Sequence, residues 1–117
     1  MADEGTLELY MASDQTPYFD VKTTKGGATA QTMTGWSLLF VVRRRSDNAV
    51  VVSKTTASGI AIGNGDGTDD RATVTLGETD IVGWTEGREY KGALWRTDTD
   101  VPLWSGVVWL REAAPQI

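Results

Sequence analysis

The chain has 117 residues, a length that fits one domain with a core of its own. It contains no His and no Cys, and 11 basic against 16 acidic residues give it a net charge of −5. The lack of Cys excludes disulfides and thiolate metal sites, and the acidic balance argues against binding to nucleic acid or an anionic membrane. No apolar run approaches the ~20 residues of a membrane helix, and Met1–Glu4 lacks the pattern of a signal peptide. We therefore expect the amino terminus to be that of a mature cytoplasmic protein.

Short apolar runs separated by glycine-containing turns predict strands along the whole chain. In chain order they cover residues 6–11, 18–22, 36–42, 49–54, 58–62, 71–76, 88–96 and 101–110. The run at 36–42 is apolar on both parities, which is typical of a central strand. The polar connection at 23–35 predicts a crossing between two sheets, and residues 78–82 predict a single helical turn.

About eight strands at this spacing predict a sandwich or barrel. We expect one all-β domain over residues 1–117, with an ordered core at about 6–110. The inward side chains should be Phe19, Val21, Leu38, Phe40, Val42, Ile60, Ile62, Val74, Leu76, Tyr90, Leu94 and Val107.

The missing His and Cys also limit the chemistry. They exclude Ser-His-Asp and Cys-His catalysis and nearly all zinc sites. Carboxylate pairs, Ser-Lys dyads and all-oxygen metal sites remain possible. Carboxylate pairs can hydrolyse glycosides, but they need a cleft of the kind found in larger folds. We therefore expect no enzymatic activity and no cofactor.

The loop at residues 63–70 offers the best candidates for metal ligands, since Ca²⁺ binds several closely spaced oxygens. The spacing departs from an EF-hand, because Asp69 stands at the required Gly position and Thr75 at that of the bidentate Glu. We therefore expect this loop to be a turn between strands, in which Gly and Asp tolerate positive φ, and we expect no metal site. The metal-ligand candidates to examine are Asn64, Asp66, Asp69 and Asp70.

Three consecutive arginines, Arg43–Arg45, follow the most apolar strand. Clustered guanidinium groups can grip phosphates, but strand alternation sends Arg44 to the face opposite its two neighbours. We interpret the run as a charged strand end that discourages edge pairing.

The chain has five tryptophans. Trp104 and Trp109 are of opposite parity on the last strand, so one of them should lie outside the core, and Trp95 should lie on an outer face. Outward tryptophans anchor protein interfaces or stack on sugars. No cluster of Asn, Gln and Asp accompanies them, so a protein interface is favoured over a sugar site. The candidate partner-binding residues are Trp95, Trp104 and Trp109.

The order of segments resembles the immunoglobulin-like domains of tailed-bacteriophage virions, such as the amino-terminal domain of baseplate upper proteins and related small head or tail proteins. The resemblance rests on Met33–Trp36 leading into a strand, the turn at Glu78–Ile81 before Gly87–Tyr90, and Gly106 interrupting the last strand. It covers residues 6–110. Tyr90 lies three positions after Gly87, whereas the family pattern has two.

The resemblance implies an immunoglobulin-like antiparallel β-sandwich of about seven to eight strands. It also implies a non-enzymatic structural protein of a virion, made in the host cytoplasm. This would be a capsid or tail accessory or decoration component whose partners are other capsid or tail subunits, with homo-oligomerisation left open. The alternative is a carbohydrate-binding module that holds a cell-surface glycan with exposed tryptophans.

Overall fold

A computed structural model describes residues 3–10, 14–81, 84 and 89–111, with the backbone alone described at residues 3, 4 and 89. Met11, Val82 and Arg88, which bound three of the predicted elements, lie outside these ranges. Within the described residues, no helix is long and apolar enough to cross a membrane.

In the described ranges, eight strands and one short 3-10 turn make up the regular structure, and each overlaps an element predicted from the sequence. The 3-10 turn spans Glu78–Ile81. The strands are β1 (Asp3–Tyr10), β2 (Tyr18–Asp20), β3 (Leu38–Arg44), β4 (Val50–Thr55), β5 (Ile60–Gly63), β6 (Arg71–Val74), β7 (Glu89–Arg96) and β8 (Val101–Arg111).

The strands form two sheets. The larger has the order β1-β8-β7-β3-β4 and the smaller the order β2-β6-β5. The polar connection after β2 crosses from the smaller sheet to the larger one, as predicted. This arrangement confirms an immunoglobulin-like β-sandwich. One pair departs from the antiparallel expectation, because β1 runs parallel to β8. Parallel strands that follow each other in the chain need a long crossover connection. Because β1 and β8 are far apart in the chain, their parallel pairing needs no such connection.

The core lies between the sheets and follows the alternation of the strands. On β3, Leu38, Phe40 and Val42 are buried while the residues between them are partly exposed. Phe19 and Ile62 pack at the margin of the core. The prediction for Val107 is wrong, because its neighbour Val108 is the fully buried residue. Both are valines, so only the pairing with β7 decides which one faces inward.

Three glycines lie side by side on the inner face of the larger sheet, because Gly106 pairs with both Gly5 and Gly92. We call them the glycine row. The Trp104 indole lies across it: a Cβ added at Gly106 would lie 3.0 Å from Trp104 Cζ2, and one at Gly92 3.1 Å from Cζ3. The indole also contacts Phe19 of the smaller sheet, with ring centroids 4.8 Å apart. Without side chains in this row, the sandwich has room for the indole.

The glycine row also allows a close approach of β1 to β8. A Cβ at residue 106 would lie 1.9 Å from the carbonyl oxygen of Gly5. We therefore expect Gly106→Ala to displace β1 and lower the free energy of unfolding by about 3 kcal/mol in urea denaturation. Gly63→Ala is the matched control, since nothing lies within 4 Å of its added Cβ, and its effect should stay below about 1 kcal/mol. Equal losses for the two variants would contradict the close approach.

Candidate functional site

The outer face of the smaller sheet is polar, and its charges are paired with one another. The Arg71 guanidinium donates to both carboxylate oxygens of Asp20, at 2.7 and 3.0 Å, and lies 4.0 Å from the centroid of the Tyr18 ring. Lys22 forms an ion pair with Asp66 beside them. A face of this kind is compatible with water and needs no covering partner.

The outer face of the larger sheet is apolar by comparison. Leu39 and Val41 of β3 lie beside Trp95 and Ala93 of β7, each pair in register. None of these four side chains belongs to the core between the sheets. Together with Ser105 of β8 they line an open groove of about 630 Å³, a volume in the range of sites that bind small molecules or short segments.

The two ends of the groove carry opposite charges. Arg43 and Lys91, which are paired in register, lie at one end, and Asp100 of the β7–β8 turn lies at the other. Asn48 fixes the Arg43 end, because its backbone oxygen accepts a hydrogen bond from Arg43 Nη1 at 3.1 Å. Both Asn48 and Asp100 have positive φ, at 62° and 58°, a conformation in which Asn and Asp are enriched. A tight turn therefore lies at each end of the groove.

The β7–β8 ladder has an irregularity beside the tryptophan that faces the groove. Leu94 pairs with Trp104, but Trp95 pairs with Pro102, so Leu103 is the additional residue on β8. The additional residue Leu103 is therefore buried as well as Trp104, which lies opposite the buried Leu94. Trp95 lies on the outer face by the alternation of β7. Bulges of this type re-aim side chains within a sheet, and Pro102 has no amide to contribute to the regular ladder.

The three candidate tryptophans therefore have different positions. Trp95 lines the groove. Trp109 is partly buried on the same sheet, with the Arg111 guanidinium 5.6 Å from its ring centroid. Trp104 is only 8% exposed and packs in the core, so it must be withdrawn as a surface contact. Sequence parity placed Trp104 and Trp109 on opposite faces, as the structure does, but it could not say which of the two was inside.

Several groove residues were not singled out from the sequence. Leu39 and Val41 belong to the run that is apolar on both parities, which predicts a central strand, and β3 does lie between β7 and β4 within its sheet. Among the described residues no further layer covers the larger sheet, so the second apolar parity of β3 faces the groove. That pattern was the available signal. Lys91 had no comparable signal, because its position beside Arg43 depends on the pairing of β3 with β7.

The loop at residues 63–70 folds around the carboxylate of Asp70, which is completely buried. Its two oxygens accept hydrogen bonds from the amides of Gly65, at 2.7 Å, and Asp66, at 3.0 Å. The Gly65 amide lowers the pKa of Asp70, and further amides of the loop add to this, while burial opposes them. Asp70 therefore organises the loop as an ionised group.

The other three metal-ligand candidates also have partners inside the protein. Asn64 Oδ1 accepts from the amide of Asp69 at 2.9 Å, and Asp69 Oδ2 accepts from Thr34 Oγ1 at 2.6 Å. Asp66 is held by Lys22. In the part of the chain that the structure describes, no three acidic groups converge on one point. The oxygens of this loop thus stabilise its own backbone and join it to neighbouring segments.

Comparison with known proteins adds no family to this geometry. No family model matches the sequence, and no curated protein matches it. The resemblance to virion domains therefore rests on the residues given above.

We expect Trp104→Ala to lower the free energy of unfolding by about 3–5 kcal/mol, because it removes a buried indole and leaves a cavity above the glycine row. Trp95→Ala should cost about 1 kcal/mol, since its indole lies on an outer face. Urea denaturation followed by circular dichroism measures both losses. A larger loss for Trp95→Ala would reverse the assignment of the two indoles.

A second prediction concerns acid. Because folding lowers the pKa of Asp70, its ionised form stabilises the fold above the unfolded pKa of about 3.9, and this contribution is lost as pH falls through the lower folded pKa. Asp70→Asn should melt at a lower temperature than the wild type at pH 7, and the two should converge in strong acid. Asp47→Asn is the control: the pKa of Asp47 is also lowered, first by Arg44, but its side chain is exposed. Parallel melting curves for wild type and Asp70→Asn at every pH would contradict the role of the carboxylate.

Proposed function

We propose that this chain is a non-enzymatic structural protein of a tailed-bacteriophage virion, a capsid or tail accessory component that docks on a neighbouring subunit. The docking surface is the groove on the outer face of the larger sheet. The observation that supports this proposal is the contrast between the two outer faces. One is polar with its charges paired, and the other is apolar and is not covered by any residue that the structure describes.

The apolar face favours a protein partner. Interface centres are enriched in aromatic side chains and depleted in charge, and the groove has Trp95 with Leu39 and Val41 at its centre and charged groups at its ends. A half-buried tryptophan in a concave site is the usual residue on which binding energy concentrates. Covering these side chains would remove further apolar area from water.

The edge strand β4 adds a second contact area beside this face. Val50 at the start of β4 is 49% exposed, one of two large apolar side chains with such high exposure among the described residues. Among the described strands, none pairs with the outer side of β4. An unpaired edge with an exposed β-branched residue is suited to contact with another chain.

The virion context comes from the sequence resemblance and is compatible with the acidic, cysteine-free composition. Carbohydrate binding is the alternative. It would use Trp95 and Trp109, but the groove has the aliphatic floor of Val41 and Ala93, against which sugar hydroxyls would lose their hydrogen bonds to water. A glycan array probed with the purified chain discriminates between a protein partner and a carbohydrate ligand. Binding to a glycan on the array that is lost in Trp95→Ala would favour the carbohydrate-binding module.

The proposal predicts that mass spectrometry of purified phage particles finds this polypeptide at a defined copy number. Particles depleted of it should bind the purified chain again. Trp95→Ala should weaken this binding by roughly 30-fold, the effect of a central aromatic anchor. Tyr18→Ala removes a 55% exposed aromatic side chain from the opposite face and should leave binding unchanged.

Two results would contradict the proposal at different points. If Tyr18→Ala abolishes binding and Trp95→Ala does not, the docking face is wrong. If particles lack the polypeptide and no capsid or tail protein binds it, the assignment to a virion is wrong.

A further inference from the structure

We propose that the groove binds an extended acidic segment of the partner polypeptide, with a carboxylate held between Arg43 and Lys91 and an apolar side chain packed on Trp95. The inference deepens the proposed function by stating the chemistry of the partner. It relies on that function only for the partner being a protein.

The first support is the pairing of charges. Most basic side chains of known pairing in the described part of the chain contact carboxylates. The ion pairs between described residues include those of Lys22, Arg44, Lys54, Arg71, Arg96 and Arg111. Neither Arg43 nor Lys91 contacts a carboxylate among the residues described, although the protein has an excess of acidic groups. Two neighbouring cations that have no carboxylate partner among the described residues are an arrangement suited to an anionic ligand.

The second support is position. Arg43 and Lys91 are directly opposite each other on β3 and β7, and both line the apolar groove. Lys91 and Trp95 are four residues apart on β7, which corresponds to about 13 Å along a strand. An extended peptide lying along the groove therefore presents its carboxylate and its apolar side chain about four residues apart.

The charge at the far end determines which end of the groove holds the carboxylate of the ligand. Asp100 lies at the end opposite Arg43 and Lys91, so it repels an acidic side chain that enters the groove in the reverse orientation. The carboxylate thus belongs at the Arg43 end. Trp95 lies nearer to Asp100 along the sheet, so the apolar side chain of the ligand precedes or follows the acid by that fixed spacing.

A polypeptide fits this site better than an acidic polysaccharide. The middle of the groove has the aliphatic side chains of Leu39, Val41 and Ala93, which match apolar side chains and cannot hydrogen-bond to hydroxyl groups. A uronic acid chain would satisfy the two cations but would place hydroxyls against this floor.

The test is a selection of displayed random heptapeptides on the immobilised wild-type chain. The expected sequences are enriched in Asp or Glu, with an aromatic or branched aliphatic residue about four positions away. Synthetic versions of the selected peptides should bind the Arg43→Gln/Lys91→Gln variant at least about tenfold more weakly, since two charge-assisted contacts are lost. Added salt should weaken wild-type binding more than binding to the variant.

The matched control is Arg44→Gln/Arg71→Gln, which makes the same change in net charge at residues that already have acidic partners. It should bind the selected peptides as the wild type does. Equal weakening in both double variants would show that overall charge alone is responsible and would overturn the site. Peptides without acidic enrichment, or binding of polygalacturonate in place of peptides, would overturn the proposed ligand.

These outcomes are separable from those of the proposed function. A chain that is found in particles and docks through Trp95, yet selects no acidic peptides, refutes only the acidic ligand. A chain that selects acidic peptides through Arg43 and Lys91 but is absent from particles refutes only the virion assignment.

Discussion

The packing of one indole over a row of glycines is the constraint on which the larger sheet depends. Trp104 needs the space that Gly5, Gly106 and Gly92 leave on three neighbouring strands, and it meets Phe19 from the other sheet. The same absence of side chains lets β1 approach β8 closely. A single large residue thus couples the spacing between the sheets to the pairing of the first strand with the last, because interiors packed at this density do not absorb added atoms freely.

The core tryptophan and the groove tryptophan belong to opposite faces of the same sheet. Trp104 is opposite Leu94 and points with it into the core, and the bulge adds Leu103 to the buried residues. Trp95 faces the groove because β7 alternates regularly against β3. On the smaller sheet the outward charges are neutralised locally by pairs such as Arg71 with Asp20. Among the described residues, the larger sheet combines an apolar outer face with two cations that have no carboxylate partner.

The sequence predicts the strands, the sheet crossing at residues 23–35 and the fold, because alternation and turn residues are local properties. It does not decide between Val107 and Val108, since that choice depends on the register with β7. It also does not reveal that Arg43 lies beside Lys91, which are distant in the chain, or that the Asp70 carboxylate is buried, since an aspartate in a Gly-Asp loop usually faces water. Trp95 was predicted to lie outside by parity alone, and there the local rule was sufficient.

The parallel pairing of β1 with β8 has a mechanical consequence. Asp3 is opposite Trp104 and Tyr10 is opposite Arg111. The first residue of β1 and the last residue of β8 therefore lie at opposite ends of this strand pair. Tension applied between the two strand ends loads this ladder in shear, and the hydrogen bonds along eight registered residue pairs resist together rather than opening one after another. A domain with this geometry can transmit pulling force along its length while its outer sheet face stays available to a neighbour.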